Sequence, residues 1–130
     1  MPAITTAVKN IYVIEDDLAA ATLIREALEL EGDPTWAVRI IMNGTVAVKI
    51  IKECPPDLVL LDLRLPGVDG GAIFRHLRSQ PATRKMPILF ISGATAHELY
   101  ISGIEDGILL RKPVNLGILL HVVRTHLAAA

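Results

Sequence analysis

The sequence predicts an α/β fold built on a parallel sheet, and three observations carry that prediction. Short apolar runs alternate with segments of helical periodicity along the chain. The runs are apolar at every position rather than at every second one, as strands covered by helices on both faces should be. Polar residues collect at the C-terminal ends of the runs, the edge where open parallel sheets bind ligands.

The first strand is read in residues 10–14, NIYVI, and stops at Glu15, Asp16 and Asp17. Ala20, Leu23, Ile24, Ala27 and Leu28 then repeat at helical spacing, with Asp17 placed to cap that helix and Gly32 offering a stop. A second strand falls within residues 36–41, and Trp36 supplies a fluorophore. Asn43-Gly44 marks a turn, after which Ala47, Ile50, Ile51 and Cys54 define a second helix that Pro55-Pro56 breaks. The third run, residues 58–61, ends at Asp62. A proline-glycine loop from Leu65 to Gly70 leads into a helix carrying Ile73, Phe74 and Leu77. Pro87 opens the fourth run, residues 88–91, which terminates at Ser92-Gly93. Residues 95–101 predict a short helix, and residues 108–110 a fifth strand ending near Lys112-Pro113. The last helix carries Leu116, Leu119, Leu120, Val123 and Leu127. Five strands and five helices thus alternate, with right-handed crossovers expected.

A length of 130 residues fits a single domain, residues 1–130, and 52% apolar content suffices for one core. A net charge of −1 argues against direct nucleic-acid binding, and no polybasic run marks a membrane surface. No apolar run reaches the length of a transmembrane helix, and the first ten residues do not form a signal peptide. One cysteine, Cys54, fits a reducing compartment, so a cytoplasmic location is expected.

Glu15-Asp16, Asp62, Ser92 and Lys112 each sit at or just past the end of a predicted strand, so the topology should gather them on one rim. Three carboxylates brought together repel one another unless a proton or a cation intervenes. Magnesium suits such a set, because it takes oxygen ligands and keeps several waters. Zinc does not, since no histidine or cysteine pair has ligand spacing. With a cation present, one carboxylate can act as nucleophile toward a phosphoryl group, and an ammonium and a hydroxyl can neutralise the other phosphoryl oxygens. Asp62 is the nucleophile of choice, because it ends the most apolar and therefore central strand. Taken singly, the same residues have plainer readings: acids before a helix cap it, Ser92-Gly93 makes a turn, and a lysine is solvated. Capping is the expected main role of Asp17. The histidines at 76, 97, 121 and 126 read as surface or helix-terminal residues, and Asp57 and Asp69 as turn residues.

The segments VIEDD, PDLVLLDLRLPGVDG, PILFISG and RKP, in this order and spacing, resemble the receiver domain of two-component response regulators over residues 9–127. The resemblance implies a flavodoxin-like, doubly wound five-stranded parallel sheet of order 2-1-3-4-5 with five helices, an order for which a member of this family is itself a standard illustration. It implies that Asp62 accepts a phosphoryl group from a histidine kinase or histidine phosphotransfer protein. It further implies Mg2+ held by Asp16, Asp62, the backbone carbonyl of Arg64 and, through water, Glu15. Ser92 matches the switch hydroxyl and Lys112 the lysine of the family pattern, followed by a cis bond to Pro113. The surface of the fourth helix, fifth strand and fifth helix would carry the signal to a second copy or an output domain. Tyr100, Ile118 and Val122 are the apolar residues that mark it. Leu109 departs from the pattern, standing where an aromatic is usual, and Arg64 and Ala94 occupy positions expected to influence phosphoryl lifetime. Three rival functions fit less well, and one of them, a degenerate receiver acting only as an interaction module, is opposed by the complete set of site residues. A phosphatase of the haloacid-dehalogenase type needs an aspartate where Arg64 stands, and a flavin phosphate would meet Glu15 and Asp16.

Overall fold

Five strands form one parallel sheet in the computed structural model, which describes residues 7–93, 97, 104 and 108–128. They are Lys9–Ile14 (β1), Trp36–Ile41 (β2), Leu58–Asp62 (β3), Ile88–Ser92 (β4) and Ile108–Arg111 (β5), in the spatial order β2-β1-β3-β4-β5. This is the expected 2-1-3-4-5 order. β3 is central and wholly buried, as its unbroken apolar run requires.

Successive residues of the strands feed two separate cores. Tyr12, Ile14, Val59, Leu61, Ile88 and Phe90 face the helices Gly44–Glu53 (α2) and Gly70–Ser79 (α3). Ile11, Val13, Leu58, Leu60, Leu89 and Ile91 face the helices Leu18–Glu26 (α1) and Leu116–Ala128 (α4). The period-two alternation invisible in the hydropathy of these strands therefore decides which pair of helices each residue touches. The predicted helix over 95–101, and with it Ala94 and Tyr100, lies outside the described residues.

Each described helix begins on an Asp or Asn. Asp17 Oδ1 accepts from Ala20 N at 3.2 Å, Asn43 Oδ1 from Thr45 N at 2.8 Å, Asp69 Oδ1 from Gly71 N at 2.9 Å and Asn115 Oδ1 from Ile118 N at 3.0 Å. Asp17 thus has the expected capping role. Asp57 reaches farther than a turn residue, accepting from Asn10 N at 2.7 Å and tying the starts of β3 and β1 together.

Two details add to the expectation. The helical stretch runs on to its expected stop at Gly32, but after α1 it widens into a π turn over Ala27–Gly32, held by tertiary bonds: Glu29 Oε2 accepts from Val38 N of the edge strand at 3.3 Å, and Arg124 donates to the Glu31 carbonyl at 3.0 Å. The loop after β3 is a small antiparallel hairpin pairing Arg64–Leu65 with Val68–Asp69, turned at Gly67 with φ +68°.

Candidate functional site

Parallel strands put all their C-terminal ends on one rim, and the acidic residues meet there. Oxygens of Glu15, Asp16 and Asp62 lie within 4.8 Å of one another. Glu15 is 0% and Asp62 2% exposed, whereas Asp16 faces solvent. Across them Lys112 Nζ stands 2.8 Å from both Glu15 Oε2 and Asp62 Oδ2, just past β5 and next to the cis bond to Pro113. Ser92, 0% exposed, closes β4, and its carbonyl accepts from Lys112 N at 3.1 Å. Four strand ends therefore deliver the residues that the sequence nominated.

Both oxygens of Asp62 are held. Oδ1 accepts from the Arg64 backbone N–H at 2.9 Å and Oδ2 from Lys112 at 2.8 Å. Glu15 Oε1 accepts from Asp17 N at 3.2 Å, a second use of Asp17 that its reading as a cap had missed. Glu15 Oε2 is buried and ion-paired with Lys112 Nζ. Burial and the Asp62 carboxylate push the Glu15 carboxyl above its ordinary value, and Lys112 and the Asp17 N–H oppose them. For Lys112, burial favours loss of the proton, but bonds to Asp62 and Glu15 outweigh it and raise the ammonium's pKa.

These residues fit a divalent cation. Three carboxylates and one ammonium sum to −2, which such an ion cancels, and all three acids offer the oxygen ligands that it takes. Octahedral magnesium ligands stand ~3–4 Å apart, so the 4.8 Å spread needs only a small contraction. Arg64, whose side chain is exposed, opens the hairpin directly after the acidic strand end.

The remaining candidates lie elsewhere. His97 and His121 are exposed, and His76 and His126 are half-buried on helices, with His126 Nδ1 2.8 Å from the Val122 carbonyl. Asp69 caps α3 and pairs with Arg75 at 3.4 Å. Trp36 starts β2 opposite Lys9, six residues before Glu15, and ~20 Å of strand separates it from the rim.

Comparison with known proteins gives a consistent picture. The sequence profile of the response regulator receiver domain matches residues 11–124. The chain is 36% identical over 98 residues to the phosphate regulon transcriptional regulatory protein PhoB of Rhizobium meliloti, covering 75% of this chain and 42% of PhoB. It is 32% identical over 108 residues to the response regulator PleD of Caulobacter vibrioides, covering 82% of this chain and 23% of PleD. It thus spans less than half the length of these relatives. Its fold superposes on the phosphorylated cyanobacterial phytochrome response regulator RcpA with a TM-score of 0.82 at 26% identity, over 95% of this chain and 97% of that one.

Proposed function

The chain belongs to the response regulator receiver family of two-component signalling, and from that premise we propose that Asp62 accepts a phosphoryl group in a magnesium-dependent reaction. The observation that carries this reading is the Asp62 carboxylate, buried at the end of the central strand with Lys112 at 2.8 Å and two further acids within 4.8 Å.

Asp16 and Asp62, with the Arg64 carbonyl, would hold Mg2+ directly and Glu15 through water. The ion supplies charge neutralisation on one phosphoryl oxygen. The donor is a phosphohistidine of a histidine kinase or phosphotransfer protein: the P–N bond breaks as an Asp62 oxygen bonds to phosphorus, and the imidazole, already protonated on its other ring nitrogen, leaves as the neutral base. Arg64 N–H holds Oδ1, which orients the carboxylate for attack. Lys112 then exchanges its contact with Asp62 for one with the phosphoryl group, and the Ser92 hydroxyl donates to another oxygen.

Drawing Ser92 and Lys112 inward pulls on the ends of β4 and β5, and this shift biases the outer surface of β5 and α4. A groove of about 360 Å³ there is lined by Leu109, Leu110, Arg111, Pro113, Asn115 and Ile118. Ile118 is exposed and Leu109 half-buried, while Val122 packs partly on the core. This face would meet an output domain or a second copy. The proposed unit is one receiver domain over residues 1–130, acting as a switch rather than an enzyme with a separate substrate. Among the described residues no helix is long and apolar enough to cross a membrane, and we propose a cytoplasmic setting.

Incubation with acetyl phosphate and magnesium should add about 80 Da, the mass of one phosphoryl group. The gain should vanish with a chelator and in Asp62→Asn. A folded protein that gains no mass from acetyl phosphate or from a phosphorylated histidine partner would overturn the reading.

A further inference from the structure

We propose that Gly44 and Gly70 are positioning residues for the acceptor and its metal, because they form the seat of the hairpin that follows Asp62. The proposal rests on the functional reading above and adds two residues to it. Gly44 and Gly70 are the first residues of α2 and α3; the hairpin 64–69 lies against Gly44, and the Asp62–Leu63 backbone that leads into it lies against Gly70.

A Cβ on Gly70 would stand 2.7 Å from Leu63 Cα, 2.8 Å from the Asp62 carbonyl oxygen and 3.0 Å from that of Leu63. All three are backbone atoms and cannot rotate aside, so the chain just past the acceptor would have to move. A Cβ on Gly44 would stand 2.9 Å from Leu65 Cδ1 and 3.3 Å from Val68 Cβ and Cγ1, which are the two paired residues of the hairpin. Leu65 is buried, so its side chain has little room to yield.

The requirement is space and not backbone freedom. Among the described residues Gly67 alone has a positive φ, so Gly44 and Gly70 adopt angles open to any residue. Intrinsic helix propensity favours alanine over glycine. Local preference and tertiary space thus point in opposite directions. The seat is transmitted to the chemistry by one bond: Arg64, the first hairpin residue, donates its N–H to Asp62 Oδ1 at 2.9 Å. Lifting the hairpin therefore turns the acceptor carboxylate and carries the Arg64 carbonyl away from the acids.

The test compares Gly44→Ala, Gly70→Ala and the double variant Gly44→Ala/Leu65→Val with the parent. Magnesium affinity is measured by calorimetry and the Arg64 amide resonance by NMR in the metal-free protein. In each single variant magnesium should bind about tenfold more weakly, the usual size for groups that orient metal ligands, and the Arg64 resonance should shift. Leu65→Val removes the atom that a methyl added at position 44 meets most closely, and should restore most of both. Gly44→Ala with unchanged magnesium affinity and an unmoved Arg64 resonance overturns the proposal, and it decides alone if Gly70→Ala does not fold. A parent that binds no magnesium overturns the functional reading instead, and the Arg64 resonance still reads the seat.

Discussion

Burial and the neighbouring Asp62 carboxylate hold the Glu15 proton more tightly in the folded protein than in the unfolded chain, against the pull of Lys112 and the Asp17 N–H. The native state then binds more protons than the unfolded state between the ordinary glutamate value of 4.5 and the raised one. Stability contributed through Glu15 therefore falls as pH rises across that window and levels off above it. Without metal, Glu15→Gln should be more stable than the parent at pH 7, and the gap should narrow toward pH 4. Urea unfolding of both proteins in chelator at the two pH values measures this. A variant less stable than the parent at pH 7 would mean that the ion pair with Lys112 outweighs desolvation. Asp33 works in the other direction: bonds from the Thr35 hydroxyl and N–H lower its pKa, so its contribution is present at neutral pH and lost on acidification.

Arg78 ties down the connection from α3 to β4. Arg78 Nη1 donates to the Met86 carbonyl at 2.7 Å and to the Thr83 carbonyl at 3.3 Å, and its guanidinium lies 5.0 Å from the centre of the Phe74 ring. Arg78→Ala should cost about 1–3 kcal/mol by unpairing those carbonyls, and Arg78→Lys should not restore it, because an ammonium lacks the planar fork. Equal unfolding midpoints for Arg78→Lys and the parent would show that charge alone suffices. The helix caps are smaller contributors: Asn43→Ala, which removes the acceptor for Thr45 N, should lower stability by about 1 kcal/mol.

The sheet separates two cores, one on each face. Leu119, 0% exposed, fills the core between α4 and the sheet, and Leu119→Ala should cost about 2–5 kcal/mol. The acidic rim should contribute in a metal-dependent way. Magnesium at a hundredfold its dissociation constant should add ~2.7 kcal/mol to unfolding, by linkage. The thermal midpoint should rise on adding magnesium and return on chelation, and a midpoint indifferent to magnesium would argue against a site there. An added reporter near the rim is preferable to Trp36, which lies at the opposite end of β2 from the acids.

What the sequence determined by itself was whatever depends on local pattern and strand direction. Continuous apolar runs imply helices on both faces, and in a parallel sheet every strand end shares one rim, so Glu15, Asp16, Asp62, Ser92 and Lys112 had to converge. Only the tertiary structure decided features that rest on contacts between distant elements. These are the two-way grip of Lys112 on Glu15 and Asp62, the π turn that brings Glu29 to the edge of β2, and the hairpin seated on Gly44 and Gly70. Periodicity reports which face a residue takes along its own element, whereas these features depend on ångström distances between elements that no local pattern encodes.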